Sequence, residues 1–556
     1  METPCIKGIN HFWSMKNRVL YLVLTVCLSV FSVSVWAQKP KLVVGIVVDQ
    51  MRPDYLYRYN KRLSEDGFKR LLEKGFVAKN MQYNYVPTYT APGHTSIYAG
   101  STPAIHGIIA NDWFFRDLDA IDYCAHDTNY QTVGSETKSG MMSPSRLEVT
   151  NLSDELLITS NFRSKVVGIA LKDRSAIYPA GHEPTGAYWY DKKTGDFITS
   201  TYYMETLPQW LTDLNNRNLP DAYLSETWNT LYPIETYTAS EADDQEYETI
   251  LKGRKTATFP YDLKKLKDKN GGYNLLAYSP FGNTLTTEAA IAALKGEELG
   301  QDEFTDLLAV SFSSTDYIGH AFGPQSVEVE DTYLRLDREL ARLFQVLDEY
   351  VGEGEYLVFL TADHACAEAP GFMEKHHMPA GYYDLKALKT DLDAYLDEQF
   401  TAGDWVSMCV NDQVFLNRNT INASEFSYEE VVETAQAYLS TVSYIHDTYS
   451  AEDIKEGMAA DPMRKTLWMG YHSKRSGDIL MLMQSGWQKK GGSVATHGSS
   501  YAYDRHVPFF LYGKGVPVKE SVVPYEITDI APTISQWLDI KLPSGCIGQP
   551  IEEVFE

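Results

Sequence analysis

The sequence predicts an α/β protein organised around a central, mostly parallel sheet. Three observations predict it. Continuous apolar, β-branched runs recur along the chain, polar residues able to do chemistry follow each run at once, and segments with apolar positions at three and four spacing lie between them. A strand covered by helices on both faces reads as an unbroken apolar run, because neither side meets water. With 556 residues, 44% hydrophobic and 22% charged, the chain can fill such a core and does not have the composition of a disordered polymer.

Taken in order, Lys41 to Val48 (KLVVGIVV) is the first strand and ends at Asp49. Val166 to Leu171, Asp306 to Phe312 and Tyr356 to Thr361 have the same character and run into Lys172-Asp173-Arg174, Ser313 to Asp316 and Asp363-His364. In open α/β sheets the ligand site lies beyond the carboxyl ends of the strands, so these distant residues should converge. Helices are predicted over Arg62 to Lys74, Thr286 to Glu298 and Ser326 to Tyr350. Two stretches fit the rhythm poorly: 180–280, rich in Tyr, Asp, Asn and Pro, and 370–495, which mixes short strands with helical pieces. Both are expected as insertions capping the sheet within one elaborated domain, 38–556, since no repeat or Gly/Ser linker separates them.

Residues 1–37 read as an export signal: a short basic start at Met15, Lys16 and Arg18, an apolar run from Val19 to Trp36, and Val35-Trp36-Ala37 before a cleavage point at Gln38. The expectation is a periplasmic protein that meets a membrane only through this signal, with an uncleaved anchor as the alternative. Cleavage leaves Cys124, Cys366, Cys409 and Cys546, with no CxxC. That excludes a disulfide scaffold and a thiolate zinc site, though one or two bridges are permitted. A formal charge of −26 argues against a nucleic-acid partner, whose phosphates demand a positive footprint. A small anionic substrate then needs a local positive centre, either a metal or a Lys/Arg pair.

The candidates for that centre stand at the strand ends. Asp49 follows the first strand, Asp316 and His320 sit in STDYIGHAFGP, Asp363 and His364 in LTADHACAE, and His497 in the Gly/Ser-rich loop VATHGSSYAYDRH. Three Asp and three His without a thiolate suit catalytic rather than structural zinc. Asp316 and His320 are one helical turn apart and can face one metal. Six ligands exceed one tetrahedral zinc, so two metals are implied, the pair that clamps attacking and leaving oxygens in phosphoryl transfer. The segment Thr90-Ala91-Pro92-Gly93-His94 reads as a helix start, with Thr90 as a cap and Pro92 in the first turn. A hydroxyl at that position is activated by the helix end and by a metal. Without those partners it is simply a cap.

DQMRPD, PTYTAPGHTSIYAGSTPAIHGIIANDW, ALKDRSAI, SPFGNTLT, SSTDYIGH, TADH and ATHGSSYAYDRHVPF together resemble the alkaline phosphatase superfamily, most closely the phosphate-irrepressible alkaline phosphatases of the PafA type. The resemblance spans essentially the whole exported chain, with the motifs in family order. It implies a three-layer α/β/α sandwich with capping insertions and two zinc ions per chain. It matches Thr90 to the nucleophile and Asp316, His320 and His497 to the ligands of one zinc. Asp49, Asp363 and His364 match those of the other, which also binds Thr90. Asn111, Lys172 and Arg174 match the groups that hold phosphoryl oxygens.

The implied activity is hydrolysis of small-molecule phosphate monoesters through a phosphothreonine, by a monomer. Lys172 and Arg174 favour a monoester dianion, whereas a diester would prefer an apolar wall. A nucleotide pyrophosphatase/phosphodiesterase of the same superfamily is the alternative, and a periplasmic metal- or phosphate-binding protein without turnover is a rival of another class. Sulfatases need Cys or Ser in C/S-x-P-x-R, where TAPGH has Thr first and His in place of Arg. His94, His106, His182, His376 and His377 are expected to be structural or loop residues and Cys366 a packed one; Asn151-Leu-Ser and Asn422-Ala-Ser match a glycosylation pattern too short to be specific.

Overall fold

β1 (Leu42–Val48) is buried at every position and pairs in parallel on both sides, with β7 (Asp306–Phe312) and β8 (Tyr356–Thr361). It is the middle of an 11-stranded sheet. The other strands are β2 (Phe76–Gln82), β3 (Thr132–Val133), β4 (Val166–Ala170), β5 (Gly186–Tyr190), β6 (Phe197–Ser200), β9 (His506–Gly513) and β10 (Lys519–Ser521), with Tyr525–Glu526 also pairing to β2. The order is β10-β2-β9-β8-β1-β7-β4-β5-β6-β3. Five adjacent strands, β8 to β5, are mutually parallel, and antiparallel pairs flank them at β8/β9, β9/β2, β5/β6 and β6/β3. The computed structural model describes residues 39–457 and 461–556. The expected export segment lies outside them.

The strands expected from unbroken apolar runs, β1, β4, β7 and β8, are four of the five in the parallel block and are buried at every position. α3 (Asp173–Ala180) and α4 (Phe281–Gly296) both pack on β4 and β7, and they belong to separate helix groups. α2 (Thr90–Ala99) lies with α3, while α5 (Ser314–Phe322) and α6 (Val327–Leu347) lie with α4. This is a helix-sheet-helix sandwich. α6 starts where predicted, with Ser326 capping it by accepting from Val329 N at 3.2 Å. The helix predicted over Arg62 to Lys74 is broken: only α1 (Phe68–Lys74) is α-helical after a 3₁₀ turn at Asn60–Arg62. The Asp337 carboxylate from α6 explains the break, accepting from Ser64 N at 2.6 Å and Phe68 N at 2.8 Å, so it caps a new helix start.

Within 180–280, β5 and β6 extend the central sheet, and short strands at Thr227–Trp228 and Tyr261–Asp262 follow. Residues 370–495 carry a four-stranded antiparallel sheet of Val406–Val410, Gln413–Leu416, Ile479–Met483 and Ile445–Ser450. It has an apolar core of its own around Leu392, Trp405, Val431 and Ile479. A two-stranded sheet of Gly381–Tyr383 and Trp487–Lys489 ties the start of this stretch to its end. Cys124, Cys366, Cys409 and Cys546 form no disulfide among the described residues, and Cys366 is fully buried. Asn151 is a buried helix cap in a reciprocal capping box with Asp154, which removes it as a surface acceptor. No helix among the described residues is long and apolar enough to cross a membrane.

Candidate active site

Adjacent strand ends deliver the acidic residues. Val48 lies in register with Phe312, and Asp49 N donates to Phe312 O at 3.0 Å, so β1 and β7 stop level. Asp49 follows β1, Asp363 and His364 follow β8, and Lys172 follows β4 by two residues. After β7 the chain turns at once into α5, which puts Asp316 and His320 on one face with His320 Nε2 3.1 Å from Asp316 Oδ1. The His497 loop arrives from the far end of the chain and brings Nε2 to 3.7 Å from the same oxygen. His364 Nε2 lies 3.6 Å from Asp49 Oδ1 and 3.4 Å from Asp363 Oδ2.

All three histidines are oriented alike. Nδ1 of His320 lies 2.7 Å from Ala495 O, Nδ1 of His497 2.7 Å from Thr88 O, and Nδ1 of His364 3.0 Å from Ala365 O. A carbonyl can only accept, so each ring carries a proton on Nδ1 and turns Nε2 to the carboxylates; His364 and His497, depressed by burial, offer a lone pair there, whereas His320, raised by Asp316, can also donate to it. At His364 lone pair then faces lone pair. Asp49 Oδ1, Asp363 Oδ2 and His364 Nε2 are buried with no donor at all. Acceptor-only groups driven together in a buried cluster repel one another unless a cation lies between them, so the residues present fit a divalent metal.

Among the described residues, two groups of three have their ligand atoms within 4.8 Å of one another, Asp316 with His320 and His497, and Asp49 with Asp316 and His364. The first is the set that the resemblance implies for one zinc. The second differs from the implied set in containing Asp316, which stands between the groups; Asp363 borders it through His364.

The electrostatics follow from crowding. Burial pushes the Asp49 carboxyl up to about 6, with Lys172 opposing, and burial together with Asp49 lifts Asp363 well above the usual range. At Asp316 burial is outweighed by His320 and Lys172, which hold it well below its ordinary value. Burial, reinforced by neighbouring rings, depresses His364 and takes His497 down to about 3. Lys172 Nζ answers the carboxylates, 2.7 Å from Asp49 Oδ2 and 2.6 Å from Asp316 Oδ2.

α2 presents its amino end to this cluster. A side-chain carbon on Gly93 would lie 2.3 Å from Asp363 O, so only glycine lets the first turn approach that closely. Thr90 is the first residue of the helix rather than its cap, a place taken by Tyr89 without a side-chain bond. Of three nearby hydroxyls, Thr95 Oγ1 donates to Ala91 O at 2.7 Å and Thr88 Oγ1 to Ser499 O at 3.4 Å. Thr90 is fixed on both sides, through Thr88 on His497 and through Gly93 and His94 on Asp363, and its hydroxyl is bonded to no other described residue. The helix end offers little direct donation. Ala91 N is taken by Asn111 Oδ1 at 2.9 Å, Gly93 N by Tyr89 O, and Pro92 has none. Arg174 Nη1 donates to Tyr123 OH at 3.0 Å, and its buried Nε has no acceptor.

Two further residues shape the site. His94, expected to be structural, bridges Thr90 O at 2.8 Å and Ser311 Oγ at 2.9 Å, with Nδ1 3.5 Å from Asp363 Oδ2; burial lowers its pKa to about 3, so it is neutral. Gln50 has a left-handed backbone (φ 64°), rare for a residue with a side chain. That turn lets Gln50 N donate to Asp363 Oδ1 at 3.2 Å while Nε2 donates to Asp316 Oδ1 at 2.7 Å. Gly319 lies opposite, where a side-chain carbon would fall 1.9 Å from Gln50 Oε1 and displace that amide. Nothing in DQMRPD distinguishes this glutamine from a surface residue.

The family profile described as type I phosphodiesterase / nucleotide pyrophosphatase matches residues 43–500. The chain is 47% identical over 523 residues to alkaline phosphatase PafA of Elizabethkingia meningoseptica, covering 93% of this chain and 95% of that one. It is 47% identical over 542 residues to a Myroides odoratus protein named calcium-transporting ATPase, covering 96% and 99%. The crystal structure of wild type alkaline phosphatase PafA superposes with a TM-score of 0.90 at 46% identity, over 93% of this chain and 99% of that one.

Proposed function

The chain belongs to the type I phosphodiesterase / nucleotide pyrophosphatase family, and from that premise we propose that it is an exported, zinc-dependent alkaline phosphatase that hydrolyses phosphate monoesters through a phosphothreonine. The carrying observation is the buried cluster of Asp and His acceptors packed against the helix start that bears Thr90. Asp316, His320 and His497 would hold one zinc, and Asp49, Asp363 and His364, with Thr90, the other. When bound, zinc supplies Lewis acidity that lowers the pKa of an oxygen nucleophile and offsets charge on the leaving oxygen.

The chain's own residues do the rest. Thr90 Oγ1 gives up its proton and attacks phosphorus. The Oγ1–P bond forms as the bond to the leaving oxygen breaks, and that oxygen takes up a proton. Water then cleaves the Oγ1–P bond from the vacated side, releasing inorganic phosphate and reprotonating Thr90. Lys172 and Arg174 offer two positive charges, one buried and one half-buried, to the non-bridging oxygens, and Asn111, its carbonyl oxygen spent on Ala91 N, keeps its amide N–H groups for the same task. Two cations suit a dianion, which supports the monoester over the diester reading. An ATPase, as the Myroides relative is named, would run the same transfer with ADP leaving. Residues 370–495 act as a cap over the site, and the enzyme works as a periplasmic monomer.

An aryl phosphate tests the proposal. Release of phosphate should stop with chelator and return with zinc. Thr90→Ala should retain zinc yet lose at least ~10³-fold in turnover, and it should carry no covalent phosphate in an acid quench that traps it on the parent protein. Near-normal turnover in Thr90→Ala ends the nucleophile assignment.

A further inference from the structure

A cavity of ≈ 270 Å³ opens beside the first ligand group, touching His320, His497 and Asn111. The cap stretch shapes its far wall. Asn411 and Asp412 are consecutive left-handed residues (φ 53° and 56°) between strands Val406–Val410 and Gln413–Leu416, the geometry of a two-residue type I′ hairpin. The tip delivers the Asp412 carboxylate to the cavity. Tyr383 OH donates to its Oδ1 at 2.7 Å, and it makes no ion pair among the described residues. Asn411 Nδ2 donates to the backbone carbonyl of Asp112 at 2.6 Å, which holds the tip against a second acidic residue that lines the same cavity. Asp504 is a third: 1% exposed, it accepts from Ser499 N at 2.8 Å through Oδ2, while its buried Oδ1 has no partner. Against these, Lys489 is the one Lys or Arg of the lining, and Tyr89 and Trp487 supply aromatic surface.

We propose that this cavity is the leaving-group subsite and that it selects phosphate monoesters whose leaving group carries a positive charge, the esters of amino alcohols. The inference rests on the phosphomonoesterase reading, in which the leaving oxygen departs on the side of Asp316, His320 and His497. Carboxylates together with aromatic surface are the means by which proteins recognise an ammonium group. A leaving group carrying a carboxylate or second phosphate meets net negative charge and is disfavoured. The hairpin tip and the catalytic centre thus have opposite preferences, one for the cationic end of the substrate and the other for its dianion.

The test compares kcat/KM of the zinc-loaded enzyme for phosphocholine, for neohexyl phosphate, in which carbon replaces the choline nitrogen, and for a phosphoglycerate. Phosphocholine should exceed its uncharged isostere by about 3- to 10-fold, with phosphoglycerate the poorest and the preference weakening in salt. Asp412→Asn and Asp112→Asn should each move the choline-to-neohexyl ratio toward one. Equal use of the two esters by the wild type overturns the proposal whether or not the variants fold, and so does a ratio that survives both substitutions. Hydrolysis of none of the esters instead overturns the phosphomonoesterase reading beneath it.

Discussion

Replacing Lys172 and Arg174 together with alanine asks whether their charge serves the phosphoryl group. Lys172 Nζ is buried against two carboxylates, and Arg174 is half-buried with an Nε that has no acceptor among the described residues, so both cations are at least partly desolvated. A hydrogen bond to a charged group is worth ~1.5–3 kcal/mol, so losing two from a dianion removes ~3–6 kcal/mol. At 1.36 kcal/mol per decade, monoester kcat/KM should fall about 10²- to 10⁴-fold. A diester brings one negative charge instead of two, which halves the Coulomb term to ~1.5–3 kcal/mol and the loss to about 10- to 150-fold. The assay runs an aryl phosphate beside a methyl aryl phosphate at saturating zinc and constant ionic strength. Thermal unfolding is followed in parallel, because the alanine variant also strips Asp49 and Asp316 of a buried partner. Equal losses on both substrates would refute the charge argument.

Two further perturbations probe the frame around the cluster. Gln50→Ala deletes the amide that donates to Asp316 Oδ1 and should weaken zinc affinity about 10- to 100-fold in chelator competition; unchanged affinity would show that the carboxylate needs no such hold. Asp504 is raised to about 7 by burial, so between the unfolded value near 3.8 and pH 7 the folded state keeps a proton that the unfolded state has released. The stability this contributes is full below pH ~4 and lost as pH rises to ~7. Asp504→Asn should therefore raise the unfolding temperature at pH 8, by a gain on the order of a few kcal/mol, and leave it unmoved at pH 4; equal effects at both pH values would contradict the burial argument.

Four strands of the parallel block were legible because burial on both faces leaves β1, β4, β7 and β8 as predominantly apolar runs. The meeting of Asp49, Asp316, Asp363 and His364 was legible for a related reason, since each stands at the first break after such a run. Other features depend on partners distant in sequence. The split before Phe68 is made by Asp337, some 270 residues away in the chain. β5 and β6 are short aromatic strands inside a polar stretch and carry no buried-run signature. His94 and Gln50 have roles only through what they touch, Thr90 and Ser311 for one, Asp316 and Asp363 for the other. Composition does not encode such contacts.

Gln50, held beneath Gly319 and bonded across to Asp363, has a consequence for how the protein acquires its site. Three segments far apart along the polypeptide must dock before any one of them is correctly placed, and the strands that carry them pair side by side with no local hairpin between. Such non-local closure comes late in folding, since the chain entropy of each long loop is lost before a contact compensates for it. Early compact forms of this chain should therefore contain helices and the separate sheet at 406–483 while lacking any place for a metal. A cation supplied during refolding would act on the last step rather than the first.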